Sequence, residues 1–202
     1  MNGPFGYTVT VKDKNGNAGI MNCSVTVSNG SATGFTTFTQ GGWGSEPAGH
    51  NPGRLLANNF SRVYSSGSVA IGGTRTLTFT SASAIEAFLP QGGTPSTFAA
   101  SATNSTSSAA GVFAGQVLAL RLSVDFSTAG VTKAGLAGLK VKSGKLAGQT
   151  VAQVLQLANA VIGGNTAALP SGVSISDVNS VVDAINNNNY GDGTTNNGYL
   201  GT

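Results

Sequence analysis

The sequence predicts a mainly β protein, in which a β-sandwich-like domain follows an N-terminal β-hairpin and carries two C-terminal helices packed on its sheet. Three observations lead to this fold class. Residues 5–28 alternate as two strands around a turn, and residues 115–126 alternate as one long strand. From Thr150 onward the apolar residues recur with a helical period. The predicted boundaries are hairpin 1–30, linker 31–35, sandwich with helices 36–188 and an asparagine- and glycine-rich tail 189–202.

The N-terminal hairpin has the alternation of two strands and a turn rich in lysine, asparagine and glycine at residues 14–17. A two-stranded hairpin alone is marginally stable in water. It therefore either packs on the rest of the chain or completes a sheet in another molecule. Under the second option the alternating apolar residues form a subunit interface, composed of Tyr7, Val9, Val11, Val25 and Val27.

The middle of the chain mixes short strands with one or two helices. The spacing of Leu55, Leu56, Asn59, Phe60 and Val63 predicts a helix of about three turns. Residues 82–89 fit a helix or a strand, and Ser81 or Ser83 is available as a cap. The remaining strand candidates are residues 35–40, 68–72, 75–80, 97–110 and 139–141.

The strongest strand candidate is the segment GQVLALRLSVDF, residues 115–126. Its alternation places one apolar set on one face, and we expect that set to be buried in the sandwich. The set consists of Leu118, Leu120, Leu122 and Val124, while Val117, Ala119, Arg121 and Ser123 lie on the other face.

Two helices are predicted near the C-terminus. Thr150 is placed to cap a helix with an apolar stripe, and Gly163-Gly164 ends it. Ser174 and Asp177 have the spacing of a capping box ahead of a second stripe. The stripes consist of Val151, Val154, Leu155, Ala158 and Ile162, and of Val178, Val181, Val182 and Ile185. Beyond residue 186 the composition predicts a loop or a loosely ordered tail.

Composition narrows the classes of function. Only 8% of the 202 residues are charged, and glycine, serine, threonine, alanine and asparagine take their place, as is common in extracellular bacterial proteins. The formal charge of +3 is too small, and its lysines and arginines too scattered, to predict nucleic acid as a partner. No stretch reaches the length of a membrane span. Cys23, the single cysteine, is either a buried small apolar residue or part of an intermolecular bond.

One cluster could bind a ligand. Trp43, Glu46, His50 and Arg54 lie in a loop rich in glycine and proline. An aromatic ring beside convergent polar groups is a common sugar site. The alternative, which we favour, is a rigid loop folded over its own tryptophan, with Glu46 and Arg54 as a surface pair. A single histidine with distant carboxylates does not predict a metal site.

The sequence predicts neither an enzyme nor a cofactor. It has no Gly-x-Ser-x-Gly motif, so the sequence offers no serine in a nucleophile elbow that could pair with His50 in a catalytic triad. Asp125 ends the long predicted strand and Glu86 lies near an apolar helix or strand, so a glycosidase pair is not excluded, but nothing in the local sequence favours it. Asp192-Gly193 lies in an asparagine-rich loop, but the alternation of a calcium loop is missing.

Two parts of the chain resemble known protein classes. The hairpin resembles the last two strands of immunoglobulin-like repeats, of PKD or HYR type, in which the cysteine at this place pairs with an upstream cysteine. The block that includes residues 39–44, 79–84, 88–93 and 151–155 resembles an uncharacterised domain of large secreted or surface proteins of Gram-negative bacteria. This resemblance implies an extracellular or cell-surface location, without implying a reaction.

The sequence therefore supports two hypotheses. The first is a structural subunit of an extracellular filament or surface layer, whose partners are copies of itself joined by strand pairing. The second is a carbohydrate-binding or adhesive module that binds glycans through the Trp43 loop. Oligomeric state distinguishes them.

Overall fold

The N-terminal hairpin and the rest of the chain form two separate units, spanning Met1–Ser31 and Ala32–Gly201. The computed structural model describes residues 3–12, 14, 18–27, 34–191 and 195–202, with only the backbone given for most of the hairpin. Strands β1 (Gly3–Lys12) and β2 (Ala18–Val27) are antiparallel, with Tyr7 opposite Cys23. Residues 15–17 of the predicted turn, residues 28–30 of the predicted hairpin and residues 31–33 of the predicted linker lie outside the described residues.

The larger unit is helical. Its described residues contain six α-helices: α1 Gln40–Trp43, α2 Pro52–Val63, α3 Ala82–Phe88, α4 Val112–Thr128, α5 Val151–Ile162 and α6 Ile175–Asn186. The described residues of this unit also contain five strands of two to four residues: β3 Val69–Gly72, β4 Thr76–Phe79, β5 Ala102–Thr103, β6 Lys140–Val141 and β7 Leu200–Gly201. The prediction of a mainly β sandwich is therefore wrong.

The error comes from α4, which occupies the segment predicted as the long strand. Its 17 residues are buried on nearly every side, because α1, α5, α6 and β3 all contact it. Leu118 and Leu120 are buried as expected, but so are Val117 and Ala119 on the supposed opposite face. A helix that is apolar all round has no stripe. Periodicity alone cannot then distinguish it from a buried strand.

The two C-terminal helices begin at the predicted caps. Thr150 Oγ1 accepts a hydrogen bond from Gln153 N at 3.2 Å, and Gln153 Oε1 accepts one from Thr150 N at 2.8 Å. Ser174 and Asp177 form the second capping box at the start of α6. Both helices pack on α4 and on each other, and α5 also contacts β3. The prediction that they cover a large sheet is wrong, because the central layer is a helix.

The short elements agree in part with the predictions. Helix α2 covers the predicted helix, α3 resolves the ambiguous segment with Ser81 as its cap, and β3, β4 and β6 lie within predicted strands. Strand β3 pairs antiparallel with β4, and β4 pairs parallel with β5. Residues 35–40 do not form the expected strand. Thr37 makes only an isolated parallel bridge with Tyr190, and α1 begins at Gln40.

The asparagine-rich C-terminal segment differs from the expected loose tail where it is described. Asn188 and Asn189 are fully buried, and β7 pairs with β6. Asn188 Oδ1 accepts hydrogen bonds from Tyr199 N at 2.7 Å and Leu200 N at 3.2 Å. Side-chain amides thus satisfy backbone donors that no regular element would satisfy.

Candidate functional site

The predicted subunit interface lies in the β1–β2 ribbon. The register pairs Phe5 with Val25, Tyr7 with Cys23 and Val9 with Met21. Residues directly opposite in an antiparallel pair share a face, and every second residue of a strand returns to it. The ten positions of this one face hold Gly3, Gly19 and eight apolar residues, which are Phe5, Tyr7, Val9, Val11, Met21, Cys23, Val25 and Val27.

The opposite face of the ribbon has a different composition. Its positions hold threonines, a serine, an asparagine and a lysine, with a few apolar residues among them. The ribbon is therefore amphipathic by position. Its sheet contains only β1 and β2, and within the described residues no third strand pairs with either outer edge. Such an edge presents a row of backbone N–H and C=O groups that can pair with another strand.

The predicted ligand cluster is divided by the structure. Trp43 is fully buried, and its Nε1 donates a hydrogen bond to Ser123 Oγ at 3.2 Å. Its ring meets those of Phe38 and Phe126 edge-on, at centroid distances of 5.1 and 4.9 Å. The indole therefore belongs to the core between α1 and α4, and it offers no open face on which a sugar could stack.

The other three residues of that cluster are exposed. His50 and Arg54 line an open groove at the start of α2, whereas Trp43 borders a separate cavity of about 310 Å³ that includes Glu86. Arg54 Nη2 donates to Pro47 O at 3.4 Å, and among the described side chains it forms no ion pair with Glu46. The loop is held instead by Asn51, whose Oδ1 accepts from Ala48 N and Arg54 N.

The carboxylates that might have formed a pair lie at different places. Glu86 borders the cavity beside Trp43, and Asp125 lies on α4 in an ion pair with Arg121. Within the described residues no three histidine, cysteine, aspartate or glutamate side chains come together as a metal site. Residues 192–194, which include the Asp192-Gly193 pair that lacks the alternation of a calcium loop, lie outside the described residues.

A polar pocket that the sequence did not predict lies between the end of α2 and the C-terminal half of α4. It has a volume of about 230 Å³ and is lined by Val63, Tyr64, Arg121, Asp125, Thr128 and Ala129. Arg121 Nε lies 2.5 Å from Asp125 Oδ2, so the two side chains form an ion pair four residues apart on the helix. The sequence signal was an arginine and an aspartate four residues apart in an apolar run. Arg121 and Asp125 lie next to each other only if residues 115–126 form a helix, so the predicted strand did not reveal the pair.

Buried polar residues also join α4 to α6. Asn186 Nδ2 donates to Gln116 O at 3.0 Å and to Gln116 Oε1 at 2.8 Å, and Gln116 Nε2 donates to Asp183 Oδ1 at 2.7 Å. This network fixes the register of two apolar helices, because a shift would leave buried amides unpaired. We assign it a structural role.

Comparison with protein-family models, curated proteins and solved structures finds no match to this chain. Among the described helices, none is both long and apolar enough to cross a membrane.

Proposed function

We propose that this protein is an extracellular structural subunit that assembles with copies of itself through the β1–β2 ribbon. The observation that carries the proposal is the ribbon's register. It places eight apolar residues on one face of a two-stranded sheet whose outer edges have no partner strand within the described residues. A sheet of two strands cannot bury such a face by itself.

A second copy of the ribbon is a suitable partner because it offers matching groups. Each strand is ten residues long, about 33 Å at 3.3 Å per residue. If the β1 edge of one copy pairs with the β2 edge of the next, backbone groups on both edges become hydrogen-bonded. Each end of the stack still has a free edge, so this head-to-tail contact does not close and it grows a fibre. Two stacked sheets would then bury their apolar faces against each other.

The composition supports an extracellular or cell-surface location. With 8% charged residues, the protein relies on small polar side chains for its solubility. The resemblance of the hairpin to immunoglobulin-like repeats, and of the remaining block to a domain of secreted bacterial proteins, points in the same direction.

The test compares two lysine substitutions on the same strand. Val9→Lys introduces a charge at a position of the apolar face, and Thr10→Lys places the same side chain at the next position, on the opposite face. Because a desolvated charge is costly, Val9→Lys should abolish assembly, whereas Thr10→Lys should assemble like the wild type. Sedimentation velocity over a range of concentrations and negative-stain microscopy measure the outcome. A wild-type chain that remains monomeric at high concentration would contradict the proposal.

Cys23 provides a second readout, because it is the single cysteine and lies at a position of the apolar face. Its rate of reaction with a maleimide should be lower in assembled wild-type protein than in dissociated Val9→Lys protein. Equal rates in the two samples would show that assembly does not cover this face.

A further inference from the structure

The cavity between α2 and α3 contains a carboxylate without a partner. The cavity lies among the loop that follows α1, the first two turns of α2 and helix α3, and its volume is about 310 Å³. Glu86, in the second turn of α3, is half-buried and is the only charged residue among the described residues that line it. Within the described part of the chain, its carboxylate forms no hydrogen bond and no ion pair. The cavity therefore has one uncompensated negative charge, which a bound cation would stabilise.

The hydroxyl of Ser83 provides a second acceptor on the same side of the cavity. Ser83 and Glu86 are three residues apart on α3, so they share a face of that helix. Ser83 Oγ lies 3.0 Å from Ser81 Oγ, which caps the helix by accepting from Ala84 N. Whichever of the two serines donates to the other, Ser83 Oγ keeps a free lone pair. A donor bound in the cavity could therefore be shared between Ser83 and Glu86.

The remainder of the cavity suits a short hydrocarbon chain. Pro47, Ala57 and Ala82 line it with C–H groups that are partly accessible, and the buried Leu56 also borders it. Its volume lies at the lower end of the range of about 300–1,000 Å³ that is typical of ligand pockets. The cavity therefore fits a small ligand with an apolar body and one polar end.

These features select the class of ligand. The charge of Glu86 disfavours an anion. A metal ion would need further ligands, and among the described residues no three histidine, cysteine, aspartate or glutamate side chains come together. A primary ammonium has three N–H donors and no acceptor, so it can donate to a carboxylate and to a hydroxyl at the same time. Hydrogen bonds between two charged groups are also stronger than those between neutral groups.

We propose that the cavity bordered by Ser83 and Glu86 binds a primary alkylammonium group. Glu86 and Ser83 Oγ each accept from the ammonium, and the alkyl chain lies against Pro47 and Ala57. A free alkylamine and a lysine side chain both offer this chemistry. The site lies entirely within the helical unit, so it does not depend on the ribbon or on assembly.

The test uses the full chain at neutral pH and saturation-transfer difference NMR, in which the signal is read on the ligand and is measurable with monomeric or assembled protein. Pentylamine is the main probe and should bind with a millimolar dissociation constant. Pentanol, which has the same chain without the charge, and tetramethylammonium, which has the charge without an N–H, should bind at least about tenfold more weakly. Nα-acetyl-lysine methylamide distinguishes the two sources of the ammonium. It should bind more tightly than pentylamine if the site takes a lysine side chain, and more weakly if the site takes a free amine.

Two variants locate the binding. Glu86→Gln keeps the shape of the side chain but removes its charge, and it should weaken pentylamine binding by about tenfold or more. Ser83→Ala keeps the carboxylate and the Ser81 cap, and it should weaken binding by about two- to tenfold, the effect of one neutral hydrogen bond. The matched control is Glu46→Gln, which makes the same change at an exposed glutamate that is not among the residues lining the cavity. It should bind pentylamine like the wild type.

The outcomes are independent of the assembly experiment, because Val9→Lys protein should bind pentylamine like the wild type. Weaker binding in both cavity variants, with the control unchanged and circular dichroism like that of the wild type, supports the proposal. The proposal is overturned if pentylamine does not bind, if pentanol binds as tightly as pentylamine, or if either cavity variant binds pentylamine as tightly as the wild type.

Discussion

The β1–β2 ribbon and the helical unit differ in how their apolar residues can be buried. In the helical unit α4 lies at the centre of a continuous core, and among the described residues Tyr190 is the only large apolar side chain that is exposed. The ribbon is a single two-stranded layer with its apolar positions collected on one face. One unit can therefore be stable by itself, whereas the other needs a surface to cover it.

This difference separates stability from assembly. Substitutions in the helical core should change the free energy of unfolding, and substitutions on the ribbon face should change the oligomeric state.

Deletion of residues 1–30 should remove assembly altogether and leave the helical unit folded, because that unit has its own core. The expected product is a soluble monomer with a helical circular dichroism spectrum and a cooperative thermal transition. An unfolded or aggregated product would mean that the ribbon is required for the core of its own chain.

Leu120→Ala should destabilise the helical unit by about 2–5 kcal/mol, because the leucine is fully buried in α4 and its removal leaves a cavity. Val9→Ala on the ribbon is the comparison. It should leave the urea unfolding transition of the helical unit unchanged while it weakens assembly. If Leu120→Ala and Val9→Ala shifted the urea midpoint of the helical unit equally, the separation of stability from assembly would be contradicted.

Gly53→Ala should cost about 1–3 kcal/mol, because a Cβ at this position of α2 would lie 1.8 Å from the backbone oxygen of Ser45. Ser45 is itself held in place, since its Oγ donates to Gly42 O and accepts from Gly53 N. Gly41→Ala is the matched control, since a Cβ there meets no atom within 4 Å. The control should be neutral or stabilising in thermal melts.

Ser123→Ala should cost about 1–2 kcal/mol, because two buried donors lose their acceptor. Ser123 Oγ accepts from Trp43 Nε1 at 3.2 Å and from Phe38 N at 3.4 Å. Urea unfolding followed by tryptophan fluorescence measures the loss, since Trp43 is the only tryptophan. Ser180→Ala on the exposed side of α6 serves as the control. A Ser123→Ala midpoint equal to that of the wild type would show that these hydrogen bonds do not stabilise the core.

Asp177→Asn should make stability less dependent on pH in the acid range. The hydrogen bond from the Ser174 backbone, and then that from its hydroxyl, hold the pKa of Asp177 below its ordinary value. The unfolded chain therefore binds the proton more readily. The stabilisation is complete above the unfolded pKa of about 3.9 and is lost as the pH falls through the lower, folded value. Unfolding midpoints measured through this range should have a shallower slope in the variant, and an unchanged slope would contradict the assignment.

The sequence alone was sufficient to predict the helices in which several local signals agree. The caps at Thr150 and Ser174 and the stripes that follow them predicted α5 and α6, because capping groups and one-sided burial are both encoded within a few turns. The sequence alone was insufficient for α4, where burial on nearly every side removes the helical period of apolar residues. The length of that apolar segment was the better indicator, since strands rarely exceed ten residues.

For the candidate sites too, local sequence patterns predicted only the features that do not depend on tertiary packing. The alternation of Tyr7, Val9 and Val11 predicted the first ribbon strand and that of Val25 and Val27 the second, and their register requires only a hairpin. The Trp43 cluster failed because proximity in sequence does not determine whether a side chain faces the core. The pocket at Tyr64 joins residues nearly sixty positions apart, from α2 and α4, so it depends on tertiary packing that no local pattern contains.

The hydrogen bonds around Asn188 and Asn189 have a mechanical consequence. Thr37 N donates to Asn189 O at 3.0 Å and Asn189 N donates to Thr37 Oγ1 at 3.0 Å, while Asn188 Oδ1 holds the backbone of Tyr199 and Leu200. Thr37, near the start of the helical unit, and residues 199–200, near its end, are therefore hydrogen-bonded to the adjacent residues Asn189 and Asn188. Tension that enters through residue 34 would act first on Phe35, whose side chain belongs to the core, and then on the hydrogen bonds between Thr37 and Asn189. Because Asn189 lies three residues beyond the end of α6, these hydrogen bonds would pass the load directly to that helix.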